Sequence, residues 1–187
     1  MSALPHQRAT LDDLYRVEGK AELIAGRIVH LMATGRRPNR IARRIVFSLD
    51  EHAGQIGLGE AFTDNMGYGL PRPLPNGRES FNPDGSYHAG PFPPNDMRFI
   101  VGSPTFAVEV RSEGDYGPAA EREMAAKRAD YFMAGTVAVW DIDPIAETVT
   151  LHRAADSANP IVFHRGEIAH GEPAVPGWTM PVNAIFG

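Results

Sequence analysis

The most constraining feature of this chain is a strand–helix–strand run over residues 105–141. Thr105 to Val110 (TFAVEV) is nearly all apolar and β-branched or aromatic, which suits a central strand buried on both faces. Residues 118–134 (PAAEREMAAKRADYFMA) are alanine-rich and charged on one side. Pro118 opens this helix and Gly135 stops it. TVAVWDID then reads as a second strand, ended by Pro144. Two strands joined through a helix must be parallel neighbours or near neighbours in one sheet.

Around this unit the pattern is antiparallel. Residues 147–153 and 160–164 have the alternation of a strand pair, and Ala21 to Ala25 and Arg27 to Met32 flank Gly26 as a second pair or a bent strand. The sheet is therefore expected to be mixed. Residues 10–16 suggest a short opening helix capped by Thr10, with Asp12 and Asp13 at its positive end. Residues 38–53 suggest a longer one, with Ile41, Ile45 and Leu49 forming an apolar stripe. From Gly57 to Gly102, glycine and proline dominate. Short strands are predicted near 60–63, 66–70 and 84–88, with PRPLPNGRES and HAGPFPPND as surface loops. The last stretch, PAVPGWTMPVNAIF, is predicted to be irregular and held down by Trp178 and Phe186. A chain of 187 residues with no repeat or linker fits one α/β domain over 1–187.

Composition removes several chemistries. There are no cysteines, so disulfides, thiolate metal sites and cysteine nucleophiles are excluded. A cytoplasmic home is compatible with that. The opening MSALPHQRATLDD has no basic segment leading into an apolar run, so no signal peptide is expected. Nothing approaches the ~18 continuous apolar residues of a membrane span. No phosphate-binding GxxxxGK[ST] loop, GxGxxG turn, GxSxG elbow or HExxH pair occurs. The formal net charge of −5 argues against a broad basic face for nucleic acid, but not against a local patch.

What remains is a set of carboxylates at strand positions. Glu109 lies within TFAVEV, Asp84 follows Pro83 at a strand start, and Glu22 lies in AELIAG. A carboxylate in an apolar strand needs compensation, by a cation or by an ion pair. Alternation puts Glu109 on the face shared by Ala107 and Arg111. Lys127 and Tyr131 are four residues apart on one helix face, so the lysine stem can return toward Glu109. Taken singly, each of these residues is more often an ion-paired, turn or solvated group than part of a site. Arg37, Arg40 and Arg44 recur at helical spacing. They form either a face that grips phosphates or a solvated face paired with local acids.

The ordered set carries a resemblance. AELIAGRIVHL, NPDGSY, SPTFAVEVRSEGD and the run from Lys127 and Tyr131 into GTVAVWDIDP resemble, in order, the motifs of the Uma-type (Uma-two) restriction endonuclease family of the PD-(D/E)xK superfamily. The resemblance spans about Thr10 to Arg153. It implies a restriction-endonuclease-like α/β fold, a mixed β-sheet flanked by helices, and a Mg²⁺- (or Mn²⁺-) dependent endonuclease acting on nucleic acid, DNA first. It also implies a homodimer, while the lack of a long apolar stretch leaves no membrane partner expected. By the same resemblance, Asp84 and Glu109 are metal ligands, the Val110 carbonyl is a third oxygen donor, and Lys127 is the catalytic lysine, moved from strand to helix. Glu22 is an outer or second-metal acid. Arg111 stands where the wider superfamily has lysine. A guanidinium stays charged and is a poor proton acceptor, so its role is limited to steadying a phosphate. The loop SEGDYG lacks the family's proline, and the stretch between Asp84 and Glu109 is long. Two other readings stay open: a non-catalytic member of the fold that binds nucleic acid or a protein, and a hydrolase of small phosphate esters.

Overall fold

The computed structural model describes residues 8–187. The expectation about a leader falls partly on residues 1–7 and so lies outside the described residues. The chain runs α1 (Leu11–Leu14), β1 (Ala21–Ile24), β2 (Arg27–His30), α2 (Arg36–Ile56), β3 (Glu60–Thr63), β4 (Tyr68–Gly69), β5 (Ser80–Phe81), β6 (Gly85–His88) and β7 (Ile100–Val101). It continues through β8 (Phe106–Val110), α3 (Pro118–Ala134), β9 (Ala138–Asp143), β10 (Thr148–Arg153), β11 (Ile161–Phe163), β12 (Ile168–His170), β13 (Thr179–Pro181) and α4 (Val182–Phe186).

The main sheet has six strands in the order β11-β10-β9-β8-β6-β3. The β8–β9 pair is parallel, as the crossover through α3 requires, and its other pairs are antiparallel. The sheet is thus mixed and flanked by helices. β1 and β2 form a separate hairpin that β5 contacts, and β4, β5 and β7 form a small three-stranded sheet.

Alternation along β8 divides its side chains between two cores. Phe106, Val108 and Val110 pack with Ile41, Ile45 and Leu49 of α2. Ala107 packs with Tyr131 of α3 and Val139 of β9. Glu109 therefore emerges on the α3 side. The helix that must cover it ends at Gly135, whose φ of 107° lies in the left-handed region where glycine has no Cβ penalty. The turn brings the chain directly into β9.

Two expectations need correction. The C-terminal stretch is not irregular: β12 and β13 pair there and α4 follows. Their apolar residues are too few and too short to show a period, and packing supplies the order. Trp178 packs at a tilt against Trp140 with ring centroids 4.7 Å apart, and its indole N–H donates to Ser48 Oγ at 3.1 Å. The segment PRPLPNGRES is exposed at Pro71 to Pro73 and at Pro75 and Asn76, but not throughout. Arg78 and Ser80 are buried, because the chain folds back under β1.

Candidate active site

Glu109, Lys127 and Tyr131 meet where β8 runs beneath α3. Lys127 Nζ lies 2.9 Å from Glu109 Oε1 and 3.0 Å from Oε2. Tyr131 Oη, one helical turn on, donates to Glu109 Oε1 at 2.6 Å. A strand carboxylate is thereby compensated by one ammonium and one phenol, both from the same helix face. The Tyr131 ring is fixed by stacking on Phe81, with centroids 4.3 Å apart.

Asp84 precedes β6. In the antiparallel β6–β8 register Gly85 faces Val108, so the next position outward sets Asp84 level with Glu109. Its Oδ2 accepts the Val110 N–H at 2.9 Å, and its Oδ1 accepts from Lys20 Nζ at 3.0 Å. Lys20 also pairs with Asp64 at 2.5 Å. Burial alone would pull the Lys20 ammonium down; Asp84 and Asp64 outweigh it and hold it above the usual lysine range.

Glu22 is buried on β1. Its Oε2 accepts from Arg78 Nη1 at 2.5 Å, its Oε1 accepts the Asn82 N–H at 3.0 Å, and Lys127 Nζ lies 3.6 Å away. Arg78 also donates from Nε to Asp130 at 2.7 Å, and Asn76 holds the other oxygen of Asp130 at 2.6 Å. Burial pushes the Glu22 carboxyl up, but Lys127 and Arg78 prevail and keep it below the ordinary range. Glu109 goes the other way. Burial raises it, Lys127 opposes, and the neighbouring Asp84 charge adds to the rise. Burial also works against the Lys127 ammonium, yet Glu109 and Glu22 hold its pKa well above the lysine norm. Lys127 is therefore a fixed cation between two carboxylates.

These groups open on one cleft of ≈ 790 Å³, which Lys20, Glu22, Asp84, Glu109, Val110 and Lys127 all line. The structure brings Arg111 to the same cleft, but its Nε and Nη2 bind Asp141 at 2.9 and 3.1 Å, and Nη1 pairs with Glu121. It does not bring Arg37, Arg40 and Arg44 there. The face of α2 near Asp84 carries Pro38, Asn39 and Ala42. Arg37 instead pairs with Glu147 at 2.6 Å, and Arg44 donates to the Ile185 carbonyl at 3.1 Å. Arg40 Nε is buried without a partner among the described residues. Arg37 and Arg44 tie α2 to the C-terminal half.

Sequence reasoning missed Lys20, Arg78, Asp130, Arg128 and Asp141. A signal existed for Lys20, since the spacing of Lys20 and Glu22 puts both on one face of a strand. Arg78 sits in a Gly/Pro-rich stretch whose return under β1 no local pattern announces.

With this geometry in place, the comparisons decide the family. The sequence model of Uma2, described as "Putative restriction endonuclease", matches residues 9–183. The chain belongs to the Uma2 family. A crystal structure described as a putative nuclease belonging to DUF820 from Anabaena variabilis superposes with a TM-score of 0.74. It covers 95% of this chain and 97% of that one at 18% identity, so the likeness is one of fold. No curated protein matches the sequence.

In this Uma2 chain, Asp84 and Glu109 offer oxygen donors of the type that hard divalent ions take, and in this structure those oxygens are held by Lys20, the Val110 N–H, Lys127 and Tyr131. Asp84, just before β6, and Glu109 on the adjacent β8 lie next to the main chain of Val110, and Mg²⁺ is commonly held by one or two carboxylates with water and phosphate oxygens completing its shell. Among the described residues, no three His, Cys, Asp or Glu side chains are grouped to hold a metal ion by themselves.

Proposed function

We propose that this Uma2 protein is a Mg²⁺- or Mn²⁺-dependent endonuclease that hydrolyses phosphodiester bonds of DNA. The observation that carries this reading is the convergence of Asp84, Glu109 and Lys127 on one cleft, with Lys127 in contact with Glu109. Asp84, Glu109 and the Val110 carbonyl would hold the ion. When bound, such an ion makes a water more acidic and offsets charge at the phosphate.

The chain's own residues do the rest. Against the pull of burial, Glu109 and Glu22 hold the Lys127 ammonium above the usual lysine range, which favours its charged form. Its ammonium donates hydrogen bonds and stabilises charge that builds on the phosphate oxygens. Tyr131 fixes the orientation of Glu109, and Lys20 that of Asp84. Glu22, clamped by Arg78 and the Asn82 amide, keeps Lys127 from swinging into solvent. Water attacks phosphorus and releases a proton to bulk solvent, the P–O bond to the leaving sugar oxygen breaks, and that oxygen takes up a proton from bulk solvent.

The test is plasmid cleavage with Mg²⁺ or Mn²⁺ by wild type, Asp84→Ala and Lys127→Ala. Cutting that needs the ion and is lost in both variants supports the reading. Wild-type protein that leaves plasmid, single-stranded and branched DNA intact sinks it in favour of a non-catalytic binder. Cleavage of a small diester but not DNA transfers the site to small phosphate esters.

A further inference from the structure

Beside the Glu109–Lys127 pair lies a second pair that the hydrolytic scheme does not use. Arg111 is two residues past Glu109, and Arg128 is the residue after Lys127. Both line the cleft, and both are clamped by the buried carboxylate of Asp141 on β9. Arg111 holds it with two bonds, and Arg128 Nη1 with one at 3.0 Å. The other donors of Arg128 have no acceptor among the described residues, and none is sealed from solvent. They face accessible space at the cleft.

Charge counting gives the pair a purpose. Two guanidiniums on one carboxylate leave one positive charge. Glu121 offsets it now, but from the first turn of α3 with a side chain 48% exposed. A rim carboxylate of this kind contributes little and is readily displaced by a better anion. Burial and, next, the Arg128 charge push the neighbouring His152 ring down to about 4, consistent with surplus positive charge.

Spacing indicates which anion. Arg111 continues the strand, its N–H bonding to the Ile142 carbonyl at 3.0 Å. Two residues along a strand advance about 6.6 Å, on the order of one nucleotide step in an extended chain. The geometry points to Arg128 and Arg111 as a subsite for the phosphate next to the scissile one, so that the substrate is an internal stretch of a polynucleotide and Glu121 holds the subsite in its absence. This inference rests on the nuclease reading above.

The test is equilibrium binding of labelled single-stranded hexathymidylate, with Ca²⁺ in place of Mg²⁺ to hold turnover off. The uncharged methylphosphonate version and inorganic phosphate serve as comparisons. Arg128→Gln leaves Asp141 still paired with Arg111, so melting should stay near wild type. It should weaken the charged oligomer about tenfold, the scale of one lost phosphate contact, and leave the uncharged one unchanged. Arg128→Lys should recover part of the loss, Glu121→Gln should tighten binding severalfold, and Arg37→Gln should change nothing. The subsite is overturned if Arg128→Gln binds as wild type, loses equally on both oligomers, or if wild type binds neither. Inorganic phosphate binding as tightly as the oligomer also overturns the flanking assignment. Absence of plasmid cleavage with this binding pattern intact would refute the nuclease reading alone.

Discussion

Lys127 reaches back from α3 to straddle both oxygens of Glu109 on β8, at 2.9 and 3.0 Å. Replacing it by Met removes the cation but keeps the apolar stem. Glu109, Glu22 and Asp84 then face one another without it. Nuclease turnover should fall by at least about 10²-fold, the usual cost of deleting one charge-stabilising donor, when initial rates are compared at saturating Mg²⁺. Retained turnover in Lys127→Met rules this lysine out.

Tyr131→Phe tests whether Glu109 needs its second donor. The ring keeps its stack on Phe81, so only the bond to Oε1 is lost. A bond to a carboxylate is worth about 1.5–3 kcal/mol, and urea melts should show a loss in that range. Removing such an orienting partner should also weaken Mg²⁺ or Mn²⁺ by about 10–100-fold in a metal titration. An unchanged titration would mean that Glu109 is held well enough by Lys127 alone.

Arg78→Met strands two acids at once. Glu22 and Asp130 both lose their guanidinium in a buried setting. Breaking a buried pair from one side costs about 3–5 kcal/mol, and the midpoint of urea unfolding should drop accordingly. A midpoint near wild type would show that water or Lys127 satisfies Glu22.

Gly85 follows Asp84 at the point where β6 passes under α2. A Cβ there would meet Val46 Cγ2 at 2.7 Å. Gly85→Ala should cost about 1–3 kcal/mol by overpacking and reduce turnover by shifting Asp84. Adding Val46→Ala should restore much of both, as read by melting and initial rates. A double variant no better than the single one excludes this clash as the cause.

His152 gives a pH dependence. Its ring is pushed from 6.5 to about 4, by burial first and Arg128 second. On acidification through that interval the unfolded chain takes up a proton that the folded chain refuses. The contribution to stability is full above 6.5 and is lost as pH falls toward about 4. In His152→Gln, the melting temperature should fall less than in wild type between about pH 7 and about pH 4.5. Parallel declines in the two proteins would count against a neutral, half-buried ring.

The parts of the molecule that the sequence announced are those whose physics is local. The α3 boundaries follow from Pro118 and Gly135, and β8 and β9 from their apolar runs. The alignment of Lys127 with Tyr131 is simple helix arithmetic. The paired acids at β6 and β8 needed the family motifs, because an aspartate after proline has no distinguishing pattern of its own. Arg78, Asp130 and Asp141 were illegible, since each acts on residues brought near only by tertiary folding. The arginines of α2 left two readings open for the same reason: the C-terminal half, which Arg37 and Arg44 meet, is brought near only by tertiary folding.

The placement of the lysine on a helix rather than beside its acid on the strand bears on how the protein is made. Glu22, Asp84 and Glu109 all leave the ribosome before Lys127 does, and α3 can settle only after the turn at Gly135 and the strand beyond it have emerged. A nascent chain therefore carries its acidic residues without the cation that completes them. The pairing of Glu109 with Lys127 is completed only when α3 docks on β8.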